Sequence, residues 1–108
     1  MATFDDREKA FEKKFEHDEQ LRFRAEMRRN KLLGLWAAGL MGMSGAEAEA
    51  YAKQVVEADL EEPGPEDVIR KVRADFDANG IEKSDHQIRR ELDECMAEAR
   101  EQVMSEAD

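Results

Sequence analysis

From Leu32 onward, apolar residues recur at steps of three and four, and no stretch alternates with a period of two, so helices are expected and a sheet is not. Leu32, Leu33, Trp36 and Leu40 form the first such stripe. Ser44-Gly45-Ala46-Glu47 has the form of a capping box, and Tyr51, Ala52, Val55 and Val56 then line one face of a helix running to about Leu60. Pro63-Gly64-Pro65 stops the chain and restarts it, because proline suits a first helical position, and Val68, Ile69, Val72 and Phe76 follow. Asn79-Gly80 has the chemistry of a left-handed helix end. Ser84-Asp85-His86-Gln87 is a second capping box, ahead of a narrow stripe of Ile88, Leu92, Cys95, Ala99 and Val103. The expected architecture is all-α: a four-helix bundle whose core stripes begin at Leu32, with a long, partly free helical segment in front of it.

That front segment is different in kind. Of the 27 residues from 5 to 31, 17 are charged, with no proline or glycine among them. The spacing predicts a long solvated helix through this stretch, opened by Thr3 as N-cap with Asp5 and Asp6 at the positive end of the helix dipole. Residues 1–31 carry 9 basic and 8 acidic groups, whereas residues 32–108 carry 8 basic and 19 acidic. The chain is therefore divided at about residue 31, into a charged partner-binding segment and an acidic bundle. Phe4, Phe11 and Phe15 lie at steps of seven and four on one side of the first segment, and the next turns on that side carry Asp18, Arg22 and Arg29. Aromatics embedded in such dense charge suit a partner-seeking helix better than a core stripe. Phe23 and Met27 fall elsewhere on the wheel, where either the bundle or the partner could be met.

Composition narrows the function. A net charge of −10 repels phosphate backbones and anionic membrane surfaces, so no nucleic-acid partner is expected. The longest uncharged run, residues 32–46, falls short of the roughly 18 apolar residues of a membrane-spanning helix, so no direct membrane insertion is expected either. One cysteine, Cys95, permits neither an internal disulfide nor a cysteine-cluster metal site, and a cytoplasmic location follows naturally.

Candidate chemistry is thin. Asp75-x-Asp77-x-Asn79-Gly80 matches the start of a calcium-binding EF-hand loop, but the twelfth position, which should supply a bidentate glutamate, is His86. Helix capping is the preferred reading of these residues, and no metal site is expected. His17 and His86 each stand beside an aspartate, with no nucleophile motif nearby, and there is no phosphate loop. Gly34, Gly39 and Gly42 suit tight helix packing or a helix end. No catalytic residue is expected, and the chain is read as a non-enzyme.

Phe4-Asp5-Asp6-Arg7-Glu8, Phe11 through Asp18, and above all the string Ala25-Glu26-Met27-Arg28-Arg29-Asn30-Lys31-Leu32-Leu33-Gly34-Leu35-Trp36-Ala37-Ala38 resemble the zeta subunit of the alphaproteobacterial F-type ATP synthase. The likeness extends through Tyr51-Ala52, Val55-Val56 and Glu62-Pro63-Gly64 to about Phe76. The resemblance implies a regulatory four-helix protein that inhibits ATP hydrolysis, analogous to the mitochondrial ATPase inhibitor protein. Its N-terminal segment would enter an interface between catalytic and non-catalytic subunits of the synthase head. Carried over by position, the partner-binding residues would be Thr3, Phe4, Asp5, Asp6, Arg7, Glu8, Phe11, Lys14, Phe15 and Asp18. The resemblance also implies weak adenine-nucleotide binding, for which the sequence offers no motif; otherwise no cofactor is expected. The protein would be a monomer when free, and peripheral to the inner membrane when bound to the synthase. The competing reading of the same residues is an acidic helical adaptor for another cytoplasmic partner.

Overall fold

Four helices make up the computed structural model, which describes residues 18–61 and 64–107: α1 at Glu19–Leu40, α2 at Gly45–Glu61, α3 at Pro65–Ala78 and α4 at Asp85–Ala107. Among the described residues there is no strand, and the fold is an all-α four-helix bundle.

Both ends of α1 and α3, and the start of α4, have a local cause. Asp18 is extended (φ −108°, ψ 100°), and its carboxylate accepts the N–H groups of Gln20 and Leu21 at 3.0 and 3.1 Å. Those are two of the donors that a helix start leaves without partners. This corrects the expectation of one helix running unbroken from Thr3 to Lys31: the backbone leaves helical geometry at Asp18, because its carboxylate serves as a cap. Thr3 itself lies outside the described residues. At the other end of α1, Gly42 is left-handed (φ +81°), and the Met43 and Gly42 N–H groups return to the carbonyls of Ala38 and Gly39. The same paired return closes α3: Gly80 has φ +71°, Ile81 N–H reaches Phe76 O at 2.9 Å, and Gly80 N–H reaches Asp77 O at 3.4 Å. Pro65 opens α3, and α4 begins on a reciprocal box in which Gln87 N–H donates to Ser84 Oγ and Ser84 N–H to Gln87 Oε1.

The main core joins all four helices around Leu33, Val55, Val72, Phe76 and Ile88, each essentially inaccessible to solvent. Burying one such side chain contributes on the order of 1.5–3 kcal/mol. Trp36 is only partly buried; it meets Phe76 edge-on, with ring centroids 5.6 Å apart. Leu40, expected in the core, is 38% exposed because α1 ends immediately after it. Gly34 sits where α1 and α2 come closest: a Cβ there would lie 2.6 Å from Ala52 Cα.

A second, smaller cluster corrects the expectation that the core stripes start at Leu32. Leu21 and Ala25 on α1 are buried against Val103 and Met104 near the end of α4, with Met96 alongside. Helix α1 continues through residue 31 without interruption, so that position marks a change of charge and carries no break in the backbone.

Candidate functional site

Nine of the ten proposed partner-binding residues, namely Thr3, Phe4, Asp5, Asp6, Arg7, Glu8, Phe11, Lys14 and Phe15, lie outside the described residues. The tenth, Asp18, is the N-cap of α1. The described chain thus shows how the root of the segment is held.

The N-terminal half of α1 is fixed against α4. Leu21 and Ala25 dock onto α4, and Arg28 fastens the next turn by donating to Gln102 Oε1 at 2.7 Å and Glu106 Oε2 at 2.9 Å. The Arg28–Glu106 pair is half open to solvent, so its share of stability is about 1 kcal/mol at most. Asn30, fully buried, separates this small cluster from the main core along α1; its Oδ1 accepts Arg29 Nε at 3.1 Å, while its Nδ2 has no partner. Phe23 stands two positions beyond Leu21, on the opposite side of the helix, and is 54% exposed. Met27 is half-buried. Within Glu19–Lys31 there are five basic and two acidic residues, a positive turn of chain on a protein of net charge −10.

The other singled-out residues have structural duties. Asp75 accepts the Tyr51 hydroxyl at 2.7 Å and Lys71 Nζ at 3.1 Å, and Lys71 also lies 5.4 Å from the Tyr51 ring centre. Burial, followed by the bond to Asp75, pushes the Tyr51 hydroxyl well above its ordinary range. Asp77 pairs with Arg73, and Asn79 donates to the Asp75 carbonyl, so the calcium-like string is spent on ion pairs and a helix end. No group of three potential ligands that could hold a metal occurs among the described residues. Cys95 is buried, and burial with the charges of Glu91, Glu98 and Glu94 pushes its thiol up to about 12, leaving it neutral and inert at ordinary pH. His86 is exposed, and His17 is outside the described residues.

Sequence reasoning missed the anchoring of α1 on α4. Arg28, Gln102 and Glu106 read as three more surface charges and amides, and their spacing of 74 to 78 residues gives no local signal. Leu60, read from the sequence as the approximate end of α2, lies one residue before its last and is 54% exposed. No described helix is long and apolar enough to cross a membrane.

Comparison with known proteins places this arrangement. A protein solved by solution NMR is 49% identical to this chain, with a TM-score of 0.70, over 80% of this chain and 98% of its own. No curated protein matches. The family model described as ATPase inhibitor subunit zeta matches residues 1–102, which takes in the segment before α1 as well as the bundle. The chain belongs to the ATPase inhibitor subunit zeta family.

Proposed function

We propose that this protein inhibits ATP hydrolysis by the catalytic head of an F-type ATP synthase by inserting residues 3–18 at an interface between a catalytic and a non-catalytic subunit. The observation that carries the reading is the extent of the family match, which runs from residue 1 and so includes the charged, aromatic segment along with the bundle. Phe4, Phe11 and Phe15 supply three rigid apolar anchors at helical spacing, and the interleaved charges keep the segment soluble until it is bound. Asp18 sets the point where the segment leaves α1, and the bundle behind it is too wide to follow into a crevice: its extents are 52, 26 and 22 Å. Insertion therefore stops at a defined depth and blocks rotation sterically. No bond is made or broken by this chain, and the mechanism needs no metal or cofactor. The protein works in the cytoplasm and meets the membrane only through the synthase.

The test is a split outcome in the double variant Phe11→Ala, Phe15→Ala. Truncating two interface anchors should raise the concentration giving half-inhibition of the isolated head at least about tenfold, equivalent to roughly 1.4 kcal/mol. The melting temperature of the bundle should stay where it is. A variant that melts early and inhibits weakly only in proportion would place the phenylalanines in the core instead, and an unmodified chain without effect on hydrolysis would overturn the reading altogether.

A further inference from the structure

Outside the inhibitory segment, the chain carries a groove with no assigned occupant. Lys31 of α1 and Ala46, Glu49, Lys53 and Val56 of α2 line a depression of about 700 Å³ along the outer seam of the two helices. Glu49, Lys53, Val56 and Leu60 follow one another at steps of four, three and four, so they share one face of α2; Phe23, Met27 and Lys31, at steps of four, share one face of α1. The two helices are joined by a tight turn and run antiparallel, with Gly34 against Ala52. From that contact, Met27 lies about 10 Å back along α1 and Leu60 about 12 Å forward along α2, at nearly the same height. Phe23 is one further turn out, past the last residue of α2. By helical rise, two large apolar side chains, Phe23 and Leu60, each 54% exposed, stand farther along the same two faces, beyond the residues that line the groove.

Two features say what fits there. The floor is apolar, with Ala46, Ala50, Ala52 and Val56 along the seam of two helices, which suits an amphipathic helix laid in by its apolar stripe. Of the charged residues that line the groove, Lys31 and Lys53 are basic and Glu49 is acidic, on a chain whose net charge is −10. A partner drawn to this site and repelled by the rest of the surface must be acidic beside its apolar stripe. The Lys31–Glu49 pair across the seam is long, at 3.8 Å, and exposed, so it opens at little cost.

We propose that this groove is a second docking site for the synthase head, taking an acidic amphipathic helix of the head beside the crevice that receives residues 3–18. The proposal rests on the inhibitory reading above, since Phe23 follows that stretch by only five residues and would reach the head with it. Two contacts on one short chain raise the effective concentration of the second once the first has formed. The groove therefore sets how long the inhibitor stays, while the N-terminal segment alone does the blocking.

The experiment uses the full chain carrying Phe23→Ala and Leu60→Ala, both exposed, with Lys53→Glu as a separate variant, in ATP hydrolysis assays on the isolated head. The double variant should keep its melting temperature and its complete inhibition at saturation, yet require at least about tenfold more protein for half-inhibition, with faster release. Lys53→Glu should also weaken inhibition, and lose less of it at high salt. Unchanged half-inhibition by the double variant, alongside normal inhibition by the unmodified chain, would overturn the second site alone; no inhibition by the unmodified chain would overturn the inhibitory reading and the groove with it. A double variant that inhibits more tightly would mean that the groove holds this chain's own residues 1–17. A change in sedimentation of the free protein would mean that it holds a second copy. Either result contradicts the proposal.

Discussion

Replacing Gly34 by alanine sets two effects of opposite sign against each other. Within a helix, alanine is favoured over glycine by about 1 kcal/mol, because it loses less backbone freedom on folding. Against this, the new Cβ would stand 2.6 Å from Ala52 Cα, 3.1 Å from Ala52 Cβ and 3.3 Å from Val55 Cγ2. The nearest atom is backbone and cannot rotate away, and carbon atoms in contact sit about 3.5–4.0 Å apart. Helices α1 and α2 must therefore separate by roughly 1 Å, loosening Leu33, Ala37, Tyr51 and Val55 together. Overpacking of this kind costs about 1–3 kcal/mol, and with an unyielding backbone opposite, the upper half of that range applies. Net of propensity, Gly34→Ala should destabilise the bundle by about 1–2 kcal/mol and lower its melting temperature by roughly 5–15 °C. Gly39, on the same helix, has nothing within 4 Å of its would-be Cβ, so Gly39→Ala should stabilise by up to about 1 kcal/mol. Thermal and urea unfolding followed by circular dichroism measure both. Two substitutions that shift stability in the same direction would refute the close approach at Gly34.

Trp36→Ala removes the edge contact with Phe76 from a half-buried site and should cost on the order of 2–3 kcal/mol, below the range for a fully buried tryptophan; a loss under about 1 kcal/mol in urea unfolding would mean the ring is not part of the core. The Cys95 thiol, raised from 9.0 to about 12, should resist a thiol reagent at pH 8 in the folded protein and react fully in denaturant. Its linkage to stability follows in sign: the folded thiol stays neutral while the unfolded one ionises, so stability present below pH 9 is lost as pH rises from 9 towards 12, and Cys95→Ala should flatten that alkaline slope.

What could be read from the sequence was whatever is local. The Ser84–Gln87 box, Pro65 and Asn79-Gly80 announce themselves because their partners lie within six residues, and each is found at its helix end. The stripes of α3 and α4 were legible for the same reason: Val68, Val72, Phe76, Ile88, Leu92 and Val103 repeat at the helical period and are all buried. The pairing of α1 with α4 was not. Leu21 and Ala25 are two apolar positions in a run of charges, and the residues that cover them, Val103 and Met104, come about eighty positions later. Sequence also pointed to close packing or a helix end at the glycines without saying which did which; Gly34 turns out to be the packing position and Gly42 the turn. Leu40 misled because a helical period continues to its last residue, while the covering layer does not.

The division of labour between segment and bundle is tested most directly by deleting residues 1–17 and keeping Asp18, so that the cap on α1 survives. The shortened protein should keep the melting temperature of the full chain, because Leu21, Ala25 and the main core are untouched. Added to the isolated synthase head, it should leave ATP hydrolysis at its uninhibited rate at concentrations where the full chain stops it. A shortened protein that still inhibits as the full chain does would place the inhibitory surface on the bundle and contradict insertion of the N-terminal segment.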